Sequence, residues 1–247
     1  MTWRWPMAMV CAVGFASFAA HAQNVDIELV LAVDSSGSID GAEFALQREG
    51  YARAITHPDV LAAIRRGPHR AIALTFVEWS GPEIHTQVVP WTRITNAATA
   101  RAAAARILAA PRTIFGGGTA LGGAIDLGMA LLAQNPYRGI RRVIDLSGDG
   151  ANNRGRWPSE ARDAAVARGV TINGLAIEDF DFGLVAHFRD EVIGGSGAFV
   201  IRADGFDDFA RAVVKKLLQE LNLASGGRPH RERLWASASD PARIAGF

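Results

Sequence analysis

The segment IELVLAVDSSGS, from Ile27 to Ser38, contains the clearest structural signal in this chain. Its first part, residues 27–33, is almost continuously apolar, which is typical of a β-strand covered on both faces. The apolar run ends in Asp-x-Ser-x-Ser, so a carboxylate and two hydroxyls follow the strand directly. Oxygen atoms of this kind are the ligands of hard divalent cations. The segment therefore predicts a buried strand that ends in a metal-binding loop.

Two later segments carry the same type of ligand, Gly116-Gly117-Gly118-Thr119 and Ser147-Gly148-Asp149-Gly150. In open parallel sheets, ligands bind beyond the carboxyl ends of the strands, where the chain order reverses. We expect strands one and four to be neighbours there, which brings the three segments together. Each segment alone is an ordinary capping or turn sequence, and only their combination favours a metal site. The predicted metal ligands are Asp34, Ser36, Ser38, Thr119 and Asp149.

Short apolar runs alternate with longer amphipathic ones along the chain, which predicts an α/β fold with a mainly parallel sheet. The exception is the third strand, since the Ser80-Gly81-Pro82 turn is too short for a crossover helix and so requires an antiparallel pairing. Strands are predicted at 25–33, 70–79, 83–89, 142–146, 170–177 and 198–201. Helices are predicted at 40–55, 59–65, 96–109, 120–134, 159–168, 182–192 and 206–221.

Both ends of the chain differ from this pattern. Residues 1–22 combine Arg4, a short apolar run and Ala20-His21-Ala22, which predicts a cleaved secretory signal, with an uncleaved anchor as the alternative. Residues 23–223 form the predicted domain, and residues 224–247 are predicted to be a disordered tail with a short basic-aromatic patch before Trp235.

The composition indicates the cellular compartment of the protein and excludes some classes of partner. Cys11 is the only cysteine and lies inside the predicted signal, so the exported chain has no disulfide. This suits a periplasmic or secreted bacterial protein. The 26 Lys and Arg residues, one of them in the signal, balance 25 acidic residues. Such a balance argues against nucleic acid as a partner. No integral membrane segment is expected in the mature chain.

The three motifs together resemble those of a von Willebrand factor type A domain with its metal-ion-dependent adhesion site (MIDAS). The resemblance covers Val25 to Leu221 and implies a Rossmann-like, doubly wound sheet with one antiparallel edge strand. It implies Mg²⁺ or Mn²⁺ at the five predicted ligands, and a protein partner that presents an Asp or Glu to the metal. The details resemble a bacterial exported subgroup without an assigned function, in the segments 47–51, 91–92, 145–153 and 172–175.

Two residues depart from the family pattern. Gly148 occupies the position where the family usually has Thr, and Asp145 interrupts an otherwise apolar strand. A carboxylate inside a buried strand is costly unless it is paired. Asp145 therefore either tunes the metal site from outside the ligand shell or pairs with a nearby arginine such as Arg141 or Arg142, and we favour the pairing.

The predicted function is that of an exported, metal-dependent protein-binding module without enzymatic activity. The first alternative is a scaffold domain that binds through another surface. A metal-assisted or serine hydrolase is the second, but the chain has no G-x-S-x-G elbow. A P-loop is excluded because Gly-Lys-Ser/Thr is absent, and a zinc site is disfavoured because the histidines are not clustered.

Overall fold

The fold is built on a mixed sheet whose strand order places the predicted metal loops next to each other. The computed structural model describes residues 22–178 and 183–226. Within these ranges the sheet has six strands: β1 Gln23–Asp34, β2 Ile72–Trp79, β3 His85–Ile94, β4 Tyr137–Gly148, β5 Thr171–Ile177 and β6 Val200–Ala203. Their order is β3-β2-β1-β4-β5-β6, so β1 and β4 are direct neighbours as expected.

Helices cover both faces of this sheet. They are α1 Gly41–Thr56, α2 Pro58–Arg66, α3 Ala97–Ala109, α4 Leu121–Ala133, α5 Pro158–Val166, α6 Leu184–His187 and α7 Phe209–Ala224. A single π-helical turn, Phe188–Val192, continues α6. None of the helices in the described part of the chain is long and apolar enough to cross a membrane.

Strand β1 lies at the centre and is buried on both faces. Leu29 and Leu31 belong to a core with residues of α1, α2, α3 and α7, whereas Val30 and Ala32 belong to a second core with α4, α5 and α6. Successive side chains of a strand point to opposite faces, so one apolar run serves both cores. This explains why the run lacks the alternation of a half-exposed strand.

The predicted architecture is confirmed, including the antiparallel pairing of β2 with β3. β3 continues through Pro90 to Ile94, which an edge strand tolerates because the missing N–H faces away from the ladder. β4 begins at Tyr137, five residues before the predicted start, since its first half is only partly buried and lacks an apolar run. The predicted signal lies outside the described residues except for Ala22, as does the tail beyond Gly226.

Asp145 pairs with Lys216 of α7 rather than with either of the predicted arginines. Both side chains are fully buried between the sheet and the helix. One turn further along α7, Glu220 accepts a hydrogen bond from Asn173 of β5 and lies 3.8 Å from the Arg141 guanidinium, Nη2 to Oε2. The buried carboxylate of β4 is therefore part of an ionic cluster that attaches α7 to the sheet.

Removal of the Lys216 charge should destabilise the domain strongly. Lys216→Met leaves Asp145 buried without its cation, which costs about 3–5 kcal/mol of the free energy of unfolding. Lys215→Met is the matched control, because Lys215 is exposed on the same helix and should change stability by about 0.5 kcal/mol or less. Chemical denaturation of both variants provides the measurement, and equal losses would show that the ion pair does not stabilise the fold.

Candidate metal centre

The first loop of the site begins at Asp34, the last residue of β1. Its side chain is 1% exposed, and its Oδ1 accepts a hydrogen bond of 2.8 Å from the Ser36 backbone N–H. Its Oδ2 is buried and has no hydrogen-bond partner among residues 22–178 and 183–226. The Ser35 backbone N–H donates to Trp79 O over 2.8 Å, which continues the β1–β2 ladder into the loop. The sheet thus holds the carboxylate in place and leaves one oxygen atom free.

A chain of side-chain hydrogen bonds connects this loop to the end of β4. Ser36 Oγ and Ser38 Oγ are 3.1 Å apart, and Ser38 Oγ donates to Asp149 Oδ1 over 2.9 Å. Ser38 and Asp149 are 111 positions apart in the sequence, and the adjacency of β1 and β4 brings them together. Four of the five predicted ligands therefore belong to one connected polar group.

Thr119 completes the predicted set, on the loop before α4. Its backbone N–H donates to Asn153 Oδ1 and its carbonyl accepts from the Asn153 N–H, both over 2.9 Å. Its Oγ1 would lie 3.6 Å from a Cβ added to Gly150, the residue after Asp149. The preceding Gly117 and Gly118 have φ of +118° and +83°, a backbone conformation that favours glycine. The glycine-rich turn thus delivers the Thr119 hydroxyl to the Asp149 loop.

The local structure explains why position 148 is a glycine. A Cβ at Gly148 would lie 3.1 Å from Asp34 Oδ2, the oxygen atom that has no partner. A larger residue there would crowd this oxygen atom. The departure from the family pattern therefore keeps space open beside the Asp34 carboxylate.

The electrostatics of the site favour a cation. Burial and the nearby Asp149 carboxylate raise the pKa of Asp34 to about 8, and burial also raises the pKa of Asp149. Two carboxylates in one desolvated site are costly when both are ionised. The possible metal donors at this site are two carboxylates and three hydroxyls. The described residues contain no cluster of three or more His, Cys, Asp or Glu side chains that could hold a metal ion. This donor set fits a hard divalent cation.

Sequence reasoning missed the groups that hold these loops. Arg112 donates to Ile114 O over 2.9 Å, to Ile39 O over 2.8 Å and to Asp40 O over 3.1 Å. It therefore fastens the loop before Thr119 to the loop after Ser38. The Ser80 hydroxyl lies 2.6 Å from Gly116 O and 2.9 Å from Gly118 O, which braces the glycine turn from β2. These contacts join segments that are distant in the sequence, so no local sequence motif predicts them.

A second group below the site belongs to the segment 47–51. The Arg48 guanidinium forms a buried ion pair with Glu78, 2.7 Å from Nη2 to Oε1, and donates to Ala110 O at the end of α3. The Tyr51 hydroxyl donates to Ser147 Oγ over 3.2 Å. α1 is therefore connected to both β2 and β4 directly beneath the metal loops.

The strand order and the connections of the sheet define the fold of this chain. The chain has the fold of a von Willebrand factor type A domain, as comparison with solved structures shows. Similar structures are proximal thread matrix protein 1 from the mussel byssus, with a zinc-occupied MIDAS motif, the pilus adhesin SpaC from Lactobacillus rhamnosus GG, and the vWF domain of the type V pili tip protein Mfa5 from Porphyromonas gingivalis.

These similarities lie in the fold rather than the sequence. The mussel protein has 15% identity and a TM-score of 0.57, over 82% of this chain and 46% of its own. SpaC has 18% identity and a TM-score of 0.57, over 81% of this chain and 30% of its own. Mfa5 has 12% identity and a TM-score of 0.56, over 83% of this chain and 97% of its own. The chain thus spans less than half the length of the mussel protein and of SpaC.

The chain belongs to the DUF1194 family, which is described as a protein of unknown function and whose model matches residues 24–225. No sequence among the curated proteins matches it. The family and the fold are therefore established, and the role of the site is a matter for proposal.

The raised pKa of Asp34 predicts a pH-dependent metal affinity. A proton that the metal-free site holds below about pH 8 must leave when a cation binds, so Mg²⁺ affinity should rise from pH 6 to about 8 and then level off. Calorimetry in two buffers of different ionisation enthalpy measures the released protons. Asp126→Asn, an exposed acid paired with Arg156, should leave the profile unchanged. Affinity that is constant from pH 6 to 8 without proton release would contradict the prediction.

Arg112 should set the metal affinity without binding the metal. Arg112→Lys keeps the charge but loses the planar fork that reaches three carbonyls, so the loops separate and Mg²⁺ affinity should fall about tenfold or more. Arg101→Lys, at an exposed position of α3, is the control. Titration calorimetry and thermal unfolding of both variants separate the effects, and unchanged affinity in Arg112→Lys would refute the role.

Proposed function

We propose that residues 23–223 form an exported, metal-dependent protein-binding domain. Asp34, Ser36, Ser38, Thr119 and Asp149 would hold Mg²⁺ or Mn²⁺, and the carboxylate of an Asp or Glu on a partner protein would complete the coordination. When bound, the metal would supply a positive charge that attracts this carboxylate. The proposal includes no catalytic step.

The observation that carries the proposal is the hydrogen-bonded group of two acids and two serine hydroxyls at the ends of β1 and β4, with the Thr119 hydroxyl beside the Asp149 loop. The group is linked by hydrogen bonds of 2.8, 3.1 and 2.9 Å, and the Asp34 Oδ2 atom is buried without a partner among the described residues. A buried carboxylate oxygen without a partner is unfavourable, and a cation relieves it. Mg²⁺ prefers six oxygen ligands, so five side chains that each supply one oxygen leave a position for a water or for a partner.

The fold neighbours support a binding role. They include a pilus adhesin and the vWF domain of a pilus tip protein, and one neighbour has a zinc-occupied MIDAS motif. Their fold is shared by this chain, and their adhesive role is extended to it as a proposal.

The proposed domain limits are supported by the structure and by the family model. The proposed export is supported by the sequence of residues 1–22. β1 begins at Gln23 and α7 ends at Ala224, and the family model matches residues 24–225. These limits agree within two residues with the proposed domain. Residues 1–22 have the composition of a cleaved secretory signal. Periplasmic or extracellular placement follows from that signal and accords with neighbours that belong to pili.

Loss of one ligand should abolish metal binding and leave the fold intact. Titration of Mg²⁺ and Mn²⁺ into the chelator-treated protein should show saturable 1:1 binding, and Asp34→Ala and Thr119→Ala should abolish it. Asp126→Ala, an acid outside the site, is the matched control. Circular dichroism verifies that each variant is folded.

The same variants test the binding role. Proteins captured from the periplasm of the source cell should be released by EDTA and should not bind Asp34→Ala. Capture that survives both EDTA and the two ligand substitutions would refute metal-dependent binding and favour a scaffold domain that uses another surface. Turnover of a generic ester that a Ser–His substitution abolishes would instead indicate a hydrolase.

A further inference from the structure

Two exposed aromatic side chains lie on the loops around the candidate metal centre. Phe115 is 75% exposed and Trp157 is 63% exposed, the highest values among the large apolar side chains of the described residues. Phe115 directly precedes the glycine turn, and the Trp157 carbonyl would lie 3.2 Å from a Cβ at Gly122, in the first turn of α4. Exposed apolar surface next to a binding site is typical of a contact surface for a partner.

The position of Phe115 is fixed relative to the Ser36–Ser38 loop. The next residue, Gly116, has its Cα 3.6 Å from a Cβ placed at Gly37, between the two serines. The Arg112 guanidinium lies over the Phe115 ring, 5.4 Å from its centroid, while it holds the carbonyls on both loops. Phe115 is thus an exposed ring on a loop that Arg112 holds beside the Ser36–Ser38 loop.

Arg154 lies against the glycine turn and has no ionic partner among the described residues. The Arg154 side chain packs over Gly118, where an added Cβ would meet its Cγ at 2.7 Å. Arg154 is exposed, and its guanidinium forms no ion pair or hydrogen bond with the described residues. Arg156, by contrast, forms an ion pair of 2.7 Å with Asp126. Arg154 therefore presents a positive charge next to Thr119 that no acidic side chain of the described residues pairs with.

We propose that Phe115 and Arg154 form the two sides of a binding surface for a short acidic peptide segment of a partner protein. The segment would place one carboxylate at the metal, an apolar side chain on Phe115, and a second carboxylate on Arg154. This inference rests on the proposed metal-dependent function and specifies its partner. An exposed ring, a free guanidinium and a cation site are together complementary to an anionic segment that also carries an apolar group.

The dimensions fit a segment of a few residues. Phe115 and Gly118 are three residues apart, so their Cα atoms lie within about 11 Å of each other. An extended peptide covers this distance with about three or four residues. One side chain of such a segment can reach the metal loops between two neighbours that contact Phe115 and Arg154. The surface therefore selects sequences that combine two acidic residues with an aromatic or aliphatic one.

The probe for this surface is a library of random twelve-residue peptides displayed on phage and panned on the Mg²⁺-loaded protein. Bound phage are eluted with EDTA, so that only metal-dependent binders are recovered. Recovered sequences are expected to contain two acidic residues within about four positions of an aromatic or aliphatic residue. Synthetic peptides with the recovered sequences then provide dissociation constants for the protein and its variants.

Two substitutions on the surface are compared with two at the other end of the sheet. Phe115→Ala and Arg154→Glu should each weaken peptide binding about tenfold or more, and neither should weaken Mg²⁺ affinity, since the Arg154→Glu charge change next to the site favours the cation. Ile140→Ala and Arg138→Glu are the matched controls, because both positions are exposed near the start of β4, far from Gly148 where the strand ends. The controls should bind the peptides as the unmodified protein does.

The outcomes separate this inference from the function on which it rests. Peptides that EDTA releases, but that bind the surface variants and the controls equally well, would overturn the binding surface and leave metal-dependent binding intact. Peptides that bind unchanged in EDTA and to Asp34→Ala would overturn both. Metal-dependent sequences without acidic residues, or no recovered sequence at all, would likewise contradict both proposals.

Discussion

The close approach of the Asp34 and Asp149 carboxylates is the constraint on which the rest of the site depends. Each acid lies at or just beyond the carboxyl end of a buried strand, and the strands β1 and β4 are neighbours. Ser36 and Ser38 connect the acids: the Ser36 backbone N–H donates to Asp34, the two serine hydroxyls share a hydrogen bond, and the Ser38 hydroxyl donates to Asp149. Because like charges repel strongly in a desolvated site, such an arrangement persists only where the surrounding fold enforces it.

The metal loops are held close together by side chains that bind their backbone carbonyls. Loops have few regular hydrogen bonds, so their carbonyls need other donors when they are partly buried. Arg112 supplies donors to the carbonyls of Ile39, Asp40 and Ile114, and Ser80 binds the glycine turn. The Asp40 side chain accepts from the first N–H groups of α1, so the loop after Ser38 ends in a capped helix. The ligands are thus presented by loops that are braced at both ends.

The sequence predicted the local features well, and the strand alternation also predicted the adjacency of β1 and β4. The Asp34 to Ser38 motif, the apolar run before it and the short turn at Ser80 each act through neighbours in the chain, so the strand, its loop and the antiparallel edge follow from pattern alone. The pairing of Asp145 with Lys216 and the role of Arg112 were not predictable, because their partners are distant in sequence and any of several arginines fitted Asp145 equally well. The early start of β4 was missed since its first half is partly exposed.

The ionic cluster under α7 limits how this helix can move. Lys216 and Glu220 are one helical turn apart on α7. Lys216 pairs with Asp145, and Glu220 contacts Asn173 and Arg141. A displacement by one turn in one direction would place Glu220 against Asp145, and in the other direction it would place Lys216 against Arg141. Either change buries like charges beside each other, which is strongly unfavourable. The charge pattern therefore holds α7 in a single register beneath the metal loops.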